Sequence, residues 1–269
     1  VFRTDGSSHH SGVLNEKVLV QKLQGNVSLA KNVWPDCPDD YNVSHLGGTK
    51  HKADIMINEQ GLSVKKKKEL RKGSFDWVNS SAAYKRHKKH FPTTSRMLKM
   101  VSGRRDVETV RKEVKQATHK DLESLDTTML RDLVYTSVIE PNEEMIVSVV
   151  DVKDEKLYSC SFKDTLLYKR YKEGAKMSLK EADKVTTSRV LLFDGIDIGL
   201  RVRVVLNNGI GALLGLSKKN KSSIPVIKFQ QDKVEGFLNN VCDGGLRVAV
   251  LQPRICRHNQ ARELFGSIG

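Results

Sequence analysis

Two short stretches of alternating apolar and polar residues flank a tight turn between His51 and Lys68, and that pattern leaves little besides a β-hairpin. Ala53–Asn58 and Leu62–Lys68 read as strands joined by Glu59-Gln60-Gly61. Side chains alternate faces along a strand, so Asp54, Met56 and Asn58 share one side while Ile55 and Ile57 take the other. Ser63, Lys65 and Lys67 likewise lie opposite Leu62, Val64 and Lys66. Closing the hairpin brings Asp54 towards Ser63 and Lys65. A carboxylate there can hold a hard divalent cation, and a neighbouring amine can orient water or balance charge on a phosphate. In isolation the same residues also suit a solvated turn, so the rest of the chain decides.

The charge distribution favours a polyanionic partner. The net charge is +14 with a pI near 9.6, and the window from Lys50 to Arg105 holds 16 Lys/Arg against 4 Asp/Glu, which is +12 of that total. The excess therefore surrounds the hairpin, as a phosphate-binding surface would. Cysteines 37, 160, 242 and 256 show no C-x-x-C pair and no zinc-finger spacing, and read as reduced thiols of a cytosolic protein. No run approaches the roughly 18 apolar residues of a membrane span. No secretory signal opens the chain, so a cytoplasmic location, or an intracellular one for a virus-encoded protein, is expected. The chain starts without Met, and Gly6–Gly12 resembles a purification tag, which points to a fragment or processed product.

Val13–Leu23 has helical periodicity, and Glu16 lies among Val13, Leu19 and Val20 on its apolar side. An inward acid needs a cation or a donor; the competing reading is a helix-start acid favourable to the macrodipole. Residues 107–139 read as helical up to Pro141, 145–152 and 157–162 as strands, and Ser178-Leu-Lys-Glu181 as a capping box opening a helix. Strands follow at 188–193, 200–206 and 224–229. Gly209-x-Gly211 lacks the register of a dinucleotide-binding turn and suits a basic loop on a hairpin. Trp77 among small polar residues, and the basic run Tyr84–His90, suit contact with nucleic acid. His87-x-x-His90 has metal-ligand spacing but no third ligand nearby, so phosphate contact is the expectation there.

Asn15-Glu16-Lys17 on a first helix, the Gly- and Lys-containing strand that ends in Asp54 and Ser63-x-Lys65 together resemble the PD-(D/E)xK nuclease superfamily, and within it small type II restriction endonucleases that cut four-base sites. The likeness covers residues 10–90 and 195–240, where Lys228-x-x-Gln231 follows a Gly-rich basic loop. It implies an α/β fold with a restriction-endonuclease-like core, a central mixed β-sheet flanked by helices, and a helical insertion. The expected layout is a single nuclease domain over 1–240, with its core at 10–90, the insertion at 105–140 and DNA-recognition strands and loop at 188–231. A tail of unknown role follows at 241–269.

The resemblance implies Asp54, Ser63, Lys65 and Glu16 as catalytic residues, and Mg²⁺ held by Asp54, the Val64 carbonyl and Glu16. Ser63 stands where the family usually has a second acid, which removes one negative charge from the metal site. Expected nucleic-acid contacts are Lys50, His51, Lys67, Trp77, Asn79, Lys85, Arg86, Lys88, Lys89, Asn207, Asn208, Lys218, Lys219, Lys221 and Gln231. The duplex would lie along 65–72 and 85–105. The implied activity is Mg²⁺-dependent hydrolysis of double-stranded DNA by a monomer or homodimer, with a cognate DNA methyltransferase as partner. The alternatives are a non-catalytic basic nucleic-acid-binding module and a structure-selective repair or junction-resolving nuclease.

Overall fold

The computed structural model describes residues 8–46, 52–101, 104, 106–181, 188–216 and 222–251. Along the chain come helices α1 (Ser8–Leu23) and α2 (Val27–Val33), then strands β1 (Val43–His45), β2 (Ile55–Ile57), β3 (Gln60–Lys67) and β4 (Phe75–Ser80). Helices α3 (Ser81–Arg86), α4 (Pro92–Met100), α5 (Val107–Glu123), α6 (Thr127–Val134) and α7 (Glu140–Asn142) follow. The remainder is β5 (Ile146–Asp151), β6 (Lys156–Ser161), α8 (Leu166–Lys172), β7 (Met177–Glu181), β8 (Arg189–Phe193), β9 (Ile196–Leu206), α9 (Gly209–Leu213), β10 (Pro225–Gln231), α10 (Val234–Asn239) and β11 (Arg247–Val250). The chain is α/β, with a mixed sheet flanked by helices. It divides into two compact units, residues 1–69, 148–159 and 247–269 in one and 70–147 and 160–246 in the other. Within the stretch read as a tail of unknown role, β11 pairs antiparallel with β6 and supplies that sheet's last strand.

In the first unit the sheet order is β1-β2-β3-β5-β6-β11. Helix α1 packs on β1 and β3, and α2 on α1 and β11. Leu19 and Leu23, one helical turn apart, are fully buried together with Ile55, Ile57 and Leu62. One face of the expected hairpin is therefore core, as its alternation requires. The turn sits at Asn58-Glu59, since Ile57 pairs with Gln60, and not at Glu59-Gln60-Gly61. Asn58 takes it at a φ of 49°, a left-handed conformation that Asn tolerates, and its side chain accepts from the Asn42 amide at 2.8 Å. Strand β2 begins at Ile55, two residues later than the alternation suggested, and Asp54 just before it bonds to β3 through both its backbone amide and its carboxylate.

The second unit carries an antiparallel sheet, β4-β10-β9-β8-β7. Phe75 and Trp77 alternate inward along β4 and pack edge-to-face on each other at 4.9 Å and on Phe237. Residues 106–140 pack within this unit. Val110 and Val114 of α5 bury with Val101 and Ile210, against Met97, Leu98 and Leu213. Buried Asp121 of α5 accepts the Thr93 and Thr94 amides at 3.0 and 2.6 Å, satisfying orphan donors at the start of α4. Pro141 does not end the helical run. The chain widens into a π turn over Tyr135–Ile139, and Asn142 donates its side-chain amide to the Val138 carbonyl at 2.6 Å.

Ser178–Glu181 forms β7 and not the capped helix expected. Leu179 pairs with Leu191 and Met177 with Phe193, so cross-strand packing overrides a four-residue capping signal. Gly199, at a φ of 82°, lets β9 pass the Asp232 carbonyl and the Gln231 side chain, which a Cβ would meet at 2.7 and 2.8 Å.

Candidate functional site

Strands β2 and β3 position the candidate centre. Ile55 pairs with Leu62, which sets Asp54 opposite Ser63 at the mouth of the hairpin. The Asp54 amide donates to the Leu62 carbonyl at 2.8 Å, and its carboxylate Oδ2 accepts from the Val64 amide at 2.7 Å. The amide and carbonyl of one strand residue point to the same edge, so the Val64 carbonyl also faces the Asp54 side. Ser63 is fully buried, and its hydroxyl has no hydrogen-bond partner among the described residues. A buried hydroxyl without a partner carries a desolvation penalty that a bound polar group would relieve.

Lys52, the lysine of the stretch that leads into Asp54, joins this group. Lys52 is half-buried just ahead of Asp54, and burial pushes its ammonium down to about 7. The charge of Lys65 pushes the same way, and Asp54 opposes both. Lys52, Asp54 and Lys65 are therefore near enough to sense one another's charge. One carboxylate beside two amines, of which Lys52 gives up its charge near neutral pH, makes a centre whose charge balance a phosphate can complete. The sequence signal for Lys52 was its place two residues before the acid, overshadowed by the lysine run Lys65–Lys68 at the end of β3.

Glu16 is inward, as its apolar neighbours suggested, but its partner is His45. Oε2 of Glu16 lies 2.8 Å from Nε2 of His45, with both side chains largely buried. His45 pairs with Ile55, which places it on the face opposite to Met56. Asp54, Ser63, Val64 and Lys65 are gathered by the hairpin, while Glu16 is held by an imidazole.

Several expected nucleic-acid contacts are structural. Trp77 is 2% exposed, and its indole donates to the Gln231 side chain at 3.3 Å. Gln231 is itself fully buried and donates to the Ile198 carbonyl at 2.9 Å, so neither residue reaches a ligand. Period-two alternation in Phe75-x-Trp77 was the signal that these rings belong to the core. Lys228 ion-pairs with Asp76 at 3.1 Å. The Asn207 Oδ1 accepts from the Ile224 and Asn208 amides at 2.9 and 2.8 Å, and the Asn208 side chain donates to the Ser222 carbonyl at 2.6 Å. Both asparagines remain exposed while they close the β9–β10 connection.

His87, expected on phosphate, is buried and bonded to Thr136. Lys85, Arg86, Lys88 and Lys89 are exposed, and Lys67 is half-buried. The two basic stretches belong to different units, Lys67 to the first and residues 85–89 to the second. Asn79 lies on β4 opposite Lys228. Lys50, His51, Lys218, Lys219 and Lys221 lie outside the described residues.

Among the described residues no helix is long and apolar enough to cross a membrane. Comparison of the chain with family models, with curated proteins and with solved structures gives no match.

Proposed function

We propose that the chain is a divalent-metal-dependent endonuclease of duplex DNA, with a restriction-endonuclease-like core in the first unit and sequence-specific cutting of the type II kind. The observation that carries this reading is the mouth of the β2–β3 hairpin. There Asp54 bonds to the Val64 amide at 2.7 Å, beside a buried, unpartnered Ser63 hydroxyl and a pair of mutually sensing lysines, Lys52 and Lys65. The donor set fits Mg²⁺, which binds through one or two carboxylates together with substrate phosphate and retained waters. Asp54 and the Val64 carbonyl would hold the ion, and the neutral Ser63 leaves the remaining charge balance to the DNA phosphate. Bound Mg²⁺ would polarise the scissile phosphate and make a coordinated water more acidic.

The chain's own groups would do the rest. Lys52 and Lys65 draw the phosphodiester into the hairpin mouth. Lys65 then holds a water in line with the leaving 3′-oxygen, so that P–O cleavage leaves 5′-phosphate and 3′-hydroxyl ends. Ser63 donates a hydrogen bond to a water or phosphate oxygen next to Asp54.

A second reading, a non-catalytic basic binding module, is favoured by the same serine, since two amines and one acid also make a plain phosphate clamp. Supercoiled plasmid incubated with the full chain and Mg²⁺, with and without chelator, separates the two. Chelator-sensitive nicked or linear DNA is the expected result. Intact DNA that still binds in a salt-dependent way would favour the clamp.

A further inference from the structure

The second unit holds a cluster that the nuclease reading does not use. His87 follows α3, His90 closes the turn before α4, and their rings stack with centroids 6.0 Å apart. Asp132 comes from α6, more than forty positions away in the chain, and the sequence spacing gave no hint of it. One atom from each of the three residues lies within 4.8 Å of the others. Nδ1 of His87 is 3.4 Å and Nε2 of His90 3.9 Å from Asp132 Oδ2. His87 is buried and His90 mostly so, at 2% and 10% side-chain exposure, yet neither nitrogen has a hydrogen-bond partner among the described residues.

The tautomer of His87 follows from its other nitrogen. Thr136 donates its hydroxyl to the Asp132 carbonyl at 3.0 Å, so its oxygen is left to accept from Nε2–H of His87. The lone pair of His87 then sits on Nδ1 and points at a carboxylate. Two lone pairs at 3.4 Å repel each other unless a cation lies between them. Zinc–nitrogen and zinc–oxygen bonds of about 2.0–2.2 Å in a tetrahedral set put neighbouring ligand atoms roughly 3.3–3.5 Å apart, close to the spacing here.

We propose that His87, His90 and Asp132 form a binding site for a divalent cation of the zinc class, with three protein ligands and a fourth position open to solvent beside Asp132. Asp132 is half-exposed and provides the way in, while Thr136 orients His87 as a metal-bound imidazole is usually oriented. Two imidazoles and one carboxylate favour such an ion over Mg²⁺, which prefers oxygen ligands. The ion would clip the turn before α4 to α6. This site does not depend on the nuclease reading.

The test is a titration of the full chain, freed of metal by a chelator and dialysed, with Co²⁺ at neutral pH, read by visible absorption. One equivalent with the intense bands of a four-coordinate nitrogen/oxygen set is expected, bleached by added Zn²⁺. His90→Gln and Asp132→Asn should abolish the bands, and Thr136→Val should weaken binding by about 10–100-fold. Asp54→Asn should leave them unchanged, which separates this site from the hairpin. Zn²⁺ should raise the melting temperature of the unsubstituted chain but not of the Asp132→Asn chain. Absence of the bands, or bands that persist in His90→Gln and Asp132→Asn, would overturn the proposal.

Discussion

Lys65→Ala is expected to lower Mg²⁺-dependent cleavage of plasmid DNA by about 10²–10⁴-fold, the range for losing a group that handles the attacking water or its proton. Binding should change far less. Lys65 is one of 46 Lys/Arg in the chain, so removing it should reduce the salt slope of DNA binding by about one phosphate contact. The two measurements together assign the role. A large loss of rate with near-normal affinity places the amine at the reacting phosphate. Equal losses in both would make Lys65 a phosphate anchor only, and a variant that cuts normally would remove it from the site. Circular dichroism of the variant guards against a trivial loss of fold.

Trp77→Ala should act on stability and not on recognition. The indole is 2% exposed, packed edge-to-face on Phe75, Phe162 and Phe237, and hydrogen-bonded to buried Gln231. Truncation removes that packing, leaves a cavity and strands the Gln231 acceptor, for a cost of about 3–5 kcal/mol. The midpoint of urea unfolding followed by circular dichroism should drop accordingly. DNA affinity per folded molecule should stay constant. Wild-type stability with weakened DNA binding would instead mean that the ring stacks on bases.

Local patterns carried the core of this account, and non-local pairings carried what they missed. The hairpin was legible because Ile55, Ile57 and Leu62 alternate with polar residues, and a one-residue slip would turn every one of them to the wrong face. The inward setting of Glu16 was legible for the same reason on a helix. Its partner was not, because β1 is three residues long and its pairing with β2 places His45 from outside any motif. Asp132 is the same case, brought to His87 and His90 by the packing of the second unit.

Trp77 and Gln231 were misplaced by composition. Aromatic and amide side chains near lysines look like nucleic-acid contacts until their alternation along β4 and β10 is followed into the core. Ser178–Glu181 shows the converse, a local helix signal overridden by an edge of sheet waiting to be paired.

The central claim is that Asp54 holds the cation at which DNA is cut. Asp54→Asn tests it most directly, because an amide oxygen can still accept from Val64 while the negative charge is gone. Plasmid cleavage should vanish at Mg²⁺ concentrations that saturate the unsubstituted chain, with duplex affinity retained in the presence of chelator. An Asp54→Asn protein that cuts plasmid at the unsubstituted rate would contradict the account.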